Sequence, residues 1–155
     1  MASGVVLVTG GASFIGSHTV RLLLEKGYDV IVLDNLYTGS KDNVPEGAEL
    51  VVGDVTDRDV VSRIMEKADY VIHLATIVSV DEARENPFET TRVNVLGTLN
   101  LLEESYKQSI ERFVYASSSA VYGEQEKLPI SEEALLRQMN TYGATKLAGG
   151  TSKCI

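Results

Sequence analysis

The sequence has little material for metal or disulfide chemistry, since its 155 residues include one cysteine, Cys154, two histidines and no tryptophan. A single cysteine cannot form an internal disulfide, and two histidines leave little for a histidine metal site. We therefore expect no metal. Lys and Arg total 14 against 22 Asp and Glu, so the net charge is −8. This acidic balance argues against a partner that is a nucleic acid or an anionic membrane.

Long apolar runs are also missing. No stretch approaches the roughly 20 apolar residues of a transmembrane helix. The residues before Val5 lack the basic region of a signal peptide, and the apolar stretch behind them is too short for one. These absences predict a cytoplasmic protein with no membrane partner. The composition, 44% hydrophobic and 23% charged, is that of an ordinary globular protein. The length predicts one domain, residues 1–155.

Short apolar runs alternate with helical patterns along the chain. The predicted strands are Val5–Val8, Val30–Leu33, Leu50–Val52, Tyr70–Ala75 and Arg112–Ala116. Apolar residues recur at helical spacing after the first, third and fourth strands, and a long helix is predicted from about Pro87 to Lys107. This alternation predicts an α/β fold, a doubly wound parallel sheet with helices on both faces. The nucleotide-binding version of that fold has the strand order 3-2-1-4-5.

Polar residues gather where the predicted strands end, at 9–16, 34, 54, 75–79 and 117–119. Ligands of doubly wound sheets bind at these carboxyl ends. Gly10 and Gly16 lie in a turn between a buried strand and a helix, where free N–H groups can hold a pyrophosphate. Asp34 ends the next strand, 18 positions after Gly16, and can bond a ribose 2′-hydroxyl while repelling a 2′-phosphate. The turn therefore predicts NAD rather than NADP, and a plain βα turn without a ligand is the alternative.

A second motif, Tyr142-x-x-x-Lys146, is expected on a short helix. Residues i and i+4 share a helix face, and a neighbouring ammonium makes a phenol a usable base near neutral pH. Ser118 or Ser119 could bond the same substrate oxygen. The alternative is an exposed helix pair without a catalytic role.

Three other polar residues have two interpretations each. Asp54 could bond an adenine amino group or serve as a turn or N-cap residue. Asn94 could be a functional or a core asparagine. His18 fits a packing or surface position better than a catalytic one.

Several segments together resemble the extended short-chain dehydrogenase/reductase family, and within it the NAD-dependent nucleotide-sugar epimerases. They are Val8–Ala12, Phe14–His18, Leu33–Asn35, Gly53–Asp54, His73–Ala75, Val93–Thr98, Ser117–Gly123 and Tyr142–Lys146. The resemblance implies a Rossmann fold and interconversion of UDP-sugar C4 epimers through a 4-keto intermediate. The dehydratases of the family usually carry Thr-Asp-Glu at positions 118–120, so dehydration is not expected.

The resemblance also implies site residues. Tyr142 would exchange a proton with the sugar 4-hydroxyl, Lys146 would bond the nicotinamide ribose, and Ser118, or failing it Ser119, would bond the substrate. The residues implied for NAD are Gly10, Ser13, Phe14, Ile15, Gly16, Asp34, Asn35, Asp54, Val55, Leu74, Ala75, Asn94, Tyr142 and Lys146. Ser79 and Tyr122 would lie near the sugar or nicotinamide. The implied partners are a UDP-sugar and, as an open alternative to a monomer, a second copy of the chain.

Departures from the family pattern carry their own expectations. Ser13 stands where the family usually has glycine, and we expect weaker NAD binding. Either its Cβ crowds the pyrophosphate, or its hydroxyl caps the helix and uses a donor that would otherwise face phosphate. Thr76 replaces the usual alanine. The chain stops nine residues after Lys146, Gly149-Gly150 is a poor helix interior, and the C-terminal substrate-binding domain is expected to be absent. Low turnover follows, and a non-catalytic NAD-binding module or a vestigial epimerase fragment remain alternatives.

Overall fold

A computed structural model of the chain describes residues 4–152, and Cys154 lies outside them. The fold is one sheet of five parallel strands. The strands are β1 Val5–Thr9, β2 Asp29–Asp34, β3 Glu49–Val52, β4 Tyr70–His73 and β5 Arg112–Tyr115. Their order is β3-β2-β1-β4-β5. The predicted doubly wound sheet, with its strand order, is confirmed.

Helices cover both faces of the sheet. They are α1 Phe14–Glu25, α2 Arg58–Met65, α3 Val80–Glu85, α4 Pro87–Thr91, α5 Thr98–Lys107 and α6 Thr141–Thr151. Short 3₁₀ turns occupy Lys41–Asn43 and Ser119–Val121, and a π-helical segment occupies Arg92–Gly97. None of the helices in the described part of the chain has the length and apolarity needed to cross a bilayer.

The apolar run of β1 explains why the sheet is buried on both faces. Successive side chains of a strand point to opposite faces, so Leu7 and Val8 enter different cores. Leu7 packs with Val61 of α2 and Leu101 of α5. Val8 packs with Val20 of α1. Because both cores share β1, the end of this central strand is held rigidly at the middle of the sheet.

The predicted long helix from Pro87 to Lys107 is interrupted. It comprises α4, the π-helical segment and α5. Within the π-helical segment Asn94 is buried, accepts a hydrogen bond from the backbone N–H of Ile77 at 2.8 Å, and donates to the Thr145 hydroxyl at 3.1 Å. Gly97 ends the segment, and a Cβ there would lie 2.5 Å from a methyl group of Val55. The distortion thus accompanies a close approach and a buried polar contact, which helical periodicity does not reveal.

The glycine pair at 149–150 does not end the last helix, which continues to Thr151. Asn140 begins it by accepting a hydrogen bond from the N–H of Gly143 at 2.8 Å. A Cβ on Gly149 would lie 2.5 Å from the Tyr115 hydroxyl. The expected weak helix interior is therefore a packing site for the last residue of β5.

A buried histidine network ties the strand ends together. Thr98 donates to the carbonyl of Asn94 at 2.7 Å, so its hydroxyl must accept from Nε2 of His73 at 3.0 Å. Thr9 accepts from the N–H of Ala75 at 3.2 Å and therefore donates to Nδ1 of His73 at 2.6 Å. The network fixes the Nε2–H tautomer of a neutral imidazole.

Burial, together with the nearby charge of Lys146, lowers the pKa of His73 from 6.5 to about 3. Between these values the unfolded chain binds a proton that the folded chain does not, so stability falls as the pH falls. We predict a loss of about 1.4 kcal/mol in the free energy of unfolding from pH 7.5 to pH 5.5. Urea unfolding followed by circular dichroism measures it.

His73→Gln should lose this pH dependence, while His18→Gln should keep it because His18 is exposed on α1. Equal pH dependence in His73→Gln and the unmodified chain would contradict the assignment.

Candidate functional site

A cavity of about 590 Å³ opens at the carboxyl ends of the strands. It lies among the β1–α1 turn, the ends of β2 and β4, and α6. Thirteen of the predicted site residues line it: Gly10, Ser13, Phe14, Ile15, Asp34, Asn35, Asp54, Val55, Leu74, Ala75, Ser79, Tyr142 and Lys146. The other five, Gly16, Asn94, Ser118, Ser119 and Tyr122, do not line it. The structure thus brings together residues more than 130 positions apart in the sequence.

Two glycines allow the turn after β1 to pack tightly. Gly10 has a φ of +71°, and a Cβ there would lie 2.8 Å from the backbone nitrogen of Ala75. A Cβ on Gly16 would lie 2.1 Å from the carbonyl oxygen of Gly10. The backbone of α1 therefore rests directly on the turn, and only glycine permits this approach.

Ser13 caps α1, as one of its two sequence interpretations predicts. Its hydroxyl accepts from the N–H of Gly16 at 3.2 Å and donates to the carbonyl of Gly10 at 2.6 Å. Within residues 4–152 no acceptor bonds the N–H groups of Phe14 and Ile15. These two donors lie at the positive end of a twelve-residue helix beside the cavity. They can bind an anion.

Asp34 is buried at the end of β2. Its carboxylate accepts hydrogen bonds from the backbone N–H groups of Ala12 at 3.0 Å and Leu36 at 2.8 Å. These bonds orient the carboxylate at the cavity wall and leave further lone pairs for a hydroxyl donor. The cavity is acidic, since Asp54, Glu82 and Glu89 also line it.

Asp54 has the turn role that its sequence position allowed. Its Oδ1 accepts from the N–H of Thr56 at 2.9 Å and from the Thr56 hydroxyl at 2.7 Å. Its Oδ2 accepts from the side-chain amide of Asn35 at 3.0 Å. Although desolvation opposes the shift, these hydrogen bonds and the charge of Arg92 lower the pKa of Asp54 below its usual value. The carboxylate stays ionised, and it also faces the cavity, so an adenine-binding role stays open.

Tyr142 and Lys146 are one turn apart on α6, and both line the cavity. Lys146 is 3% exposed. Burial lowers the pKa of its ammonium to about 8. Within the described chain its Nζ forms neither a salt bridge nor a hydrogen bond. An unpartnered buried ammonium that reaches a cavity is ready to bind a hydroxyl or an anion.

Of the three serines after β5, one lines the cavity and two belong to the 3₁₀ turn. Ser117 lines the cavity. Ser118 is the N-cap residue of the 3₁₀ turn, and its hydroxyl accepts a hydrogen bond from the N–H of Ala120 at 3.2 Å. Ser119 is the first residue of that turn and is exposed. The turn packs against α6, because a Cβ on Gly143 would lie 2.6 Å from the carbonyl oxygen of Ala120.

Sequence reasoning missed two cavity residues that meet across its mouth. Tyr37 follows β2 and donates a hydrogen bond to Glu82 of α3 at 2.8 Å. The Glu82 carboxylate raises the pKa of the Tyr37 phenol. No pattern marks Tyr37 in its polar loop. Ser79 and Glu82 do have the spacing of a capping box, which could have located the start of α3 at the cavity.

Comparison with known proteins gives consistent matches over nearly the whole chain. The family model "NAD dependent epimerase/dehydratase family" matches residues 6–151. A UDP-glucose 4-epimerase of Lactobacillus helveticus is 43% identical over 144 residues, which are 92% of this chain and 44% of that protein.

Two solved structures have the same fold. The UDP-glucose 4-epimerase of Thermotoga maritima with UDP-glucose has a TM-score of 0.92 at 36% identity, covering 96% of this chain and 49% of that one. The UDP-glucose 4-epimerase of Thermus thermophilus in complex with NAD has a TM-score of 0.91 at 41% identity, with the same coverage. The chain spans about half the length of these relatives.

The packing of the turn makes a prediction about two glycines. Gly16→Ala should lower the free energy of unfolding by roughly 1–3 kcal/mol, because its Cβ meets backbone. Gly150→Ala, also in a helix but with its nearest Cβ neighbour at 3.8 Å, should raise it by about 0.5–1 kcal/mol. Urea unfolding compares the two variants, and equal stabilities would show that the turn does not need Gly16.

Proposed function

This chain belongs to the NAD dependent epimerase/dehydratase family, and we propose that it binds NAD and presents the proton-transfer residues of a UDP-sugar 4-epimerase. One observation carries the proposal. Tyr142 and Lys146 share a face of α6 and line the same cavity as the Gly10 turn. The relatives named UDP-glucose 4-epimerase support the choice of reaction.

The cavity fits a dinucleotide. Its volume of about 590 Å³ is that of a cofactor-sized pocket. The N–H groups of Phe14 and Ile15 would bind the pyrophosphate at the start of α1. Asp34 would accept a hydrogen bond from a ribose hydroxyl. The carboxylates of Asp34 and Asp54 would repel a 2′-phosphate, so NAD is favoured over NADP.

Tyr142 and Lys146 divide the acid–base work. Tyr142, as a phenolate, would take the proton of the sugar 4-hydroxyl and return it at the end of the reaction. The Lys146 ammonium would stabilise that phenolate and bond a ribose hydroxyl of the cofactor. When bound, NAD would supply reversible hydride transfer at the sugar C4.

Ser118 and Ser119 are the proposed partners of the sugar oxygen, although of the three serines only Ser117 lines the cavity. The hydroxyl of Ser118 accepts one hydrogen bond and has no acceptor for its own proton within residues 4–152. It can therefore donate to a substrate oxygen without losing its cap. The contribution of Ser119 stays a prediction, as do those of Val55, Leu74, Ala75 and Asn94 to cofactor binding.

A second candidate function is NAD binding without turnover. The chain spans about half the length of its relatives. A substrate held by few contacts is poorly positioned, and positioning supplies a large part of catalysis. Assembly with a second copy of the chain stays a separate prediction of the sequence.

An assay of turnover separates the two candidates. The chain is incubated with NAD and UDP-galactose, and UDP-glucose is followed by NMR. We expect slow formation of UDP-glucose that is lost in Tyr142→Phe, while circular dichroism and urea unfolding show that the variant is folded. Turnover that persists in Tyr142→Phe would contradict the proposal, and saturable NAD binding with no turnover would establish the second candidate.

Ser13 gives a prediction about affinity. Ser13→Gly should tighten NAD binding severalfold, because it removes a Cβ beside the proposed pyrophosphate position. Ser13→Ala is the matched control. It keeps the Cβ and removes the capping hydroxyl, so it should not gain affinity by relief of crowding. Calorimetric titration measures both, and an unchanged affinity in Ser13→Gly would show that Ser13 does not weaken binding.

A further inference from the structure

The last residue of β5 touches Lys146 through its ring. Nζ of Lys146 lies 4.4 Å from the centroid of the Tyr115 ring. An ammonium over an aromatic face is attracted by the negative potential of that face, and the attraction strengthens when water is excluded. No carboxylate within residues 4–152 pairs with this ammonium, and the ring is a contact that supports its charge.

The same tyrosine also holds the backbone of Lys146. Its hydroxyl donates a hydrogen bond to the carbonyl oxygen of Lys146 at 3.2 Å. The space for this hydroxyl exists because residue 149 is glycine, where a Cβ would lie 2.5 Å away. Tyr115 thus contacts Lys146 twice, at the backbone carbonyl through its hydroxyl and at the ammonium through its ring.

Two facts exclude an acid–base role for this phenol. Burial, and the repulsion that two neighbouring phenolates would feel, raise the pKa of Tyr115 to about 12, so it keeps its proton near neutral pH. It is also absent from the residues that line the cavity. Behind it the ring of His73 lies 5.7 Å away, in register with it on β4, and is held by its two threonines.

We propose that Tyr115 is a positioning residue, which holds the ammonium of Lys146 at the cavity beside Tyr142 through its ring and the Lys146 carbonyl through its hydroxyl. The part of this proposal that concerns function rests on the proposed role of Lys146. The contact itself concerns only the chain, so it can be tested without a cofactor.

The test is the titration of Lys146 in the full chain without NAD. Carbon-detected NMR of ¹³C-lysine-labelled protein follows the ammonium, and Lys146→Met assigns its resonance. Tyr115→Leu keeps apolar volume but removes the ring, so the charged form loses its support. We expect the pKa of Lys146 to fall by about one unit. Tyr115→Phe keeps the ring and should leave it near the wild-type value.

A merely structural role predicts the opposite sign. If Tyr115 only fills space, its loss admits water, and the pKa of Lys146 rises towards that of a solvated lysine. A rise, no change, or the same shift in Tyr115→Phe as in Tyr115→Leu would overturn the proposal. Phe113→Leu, which removes an aromatic ring from the same face of β5, is the matched control and should not move the titration.

Circular dichroism and urea unfolding establish that each variant is folded, and Tyr115→Met replaces Tyr115→Leu if the latter does not fold. NAD titration of the same samples adds a second readout. Tyr115→Leu should bind NAD about five- to tenfold more weakly than Tyr115→Phe. If the titration behaves as expected while the unmodified chain binds no NAD, the positioning role stands and the proposed function fails.

Discussion

The hydrogen bonds of the buried His73 imidazole join the segments that surround the cavity. Through Thr9 the ring holds the end of β1, from which the Gly10 turn starts. Through Thr98 it holds the π-helical segment that carries Asn94. Asn94 in turn bonds Thr145 on α6. Each of these groups is satisfied, which a buried polar network requires if it is to specify one arrangement rather than several. The network thus fixes the position of the proposed cofactor turn relative to the proposed catalytic helix.

The cavity has carboxylates on one side and a single ammonium, that of Lys146, on the other within the described residues. Carboxylates surround the proposed adenosine side and are held by backbone N–H groups or by neighbouring side chains. The one cation that lines the cavity within residues 4–152, Lys146, has an aromatic ring in place of a carboxylate. A carboxylate partner would neutralise the ammonium, whereas a ring supports its charge and leaves its N–H donors free. This difference explains how a buried lysine can remain available to Tyr142 and to a ligand.

The sequence predicted the parts of the site that depend on local geometry. The positions of Gly10, Asp34 and the Tyr142–Lys146 pair follow from strand ends and helix periodicity, and these elements formed as expected. The roles of those residues remain predictions. Contacts between distant segments could not be predicted, because nothing local records them. Tyr37 meets Glu82 across 45 positions, and Tyr115 meets Lys146 across 31. From the sequence, Gly149 looked like a poor helix residue. The side chain that requires a glycine there, Tyr115, lies on β5 and is distant in the sequence.

The turn after β1 and Asp34 together form the proposed NAD site. The most direct measurement is calorimetric titration of the purified chain with NAD and, in parallel, with NADP, since the chain has no tryptophan for a fluorescence readout. We predict saturable NAD binding and much weaker binding of NADP. A folded chain that binds neither dinucleotide, or binds both equally, would contradict this claim.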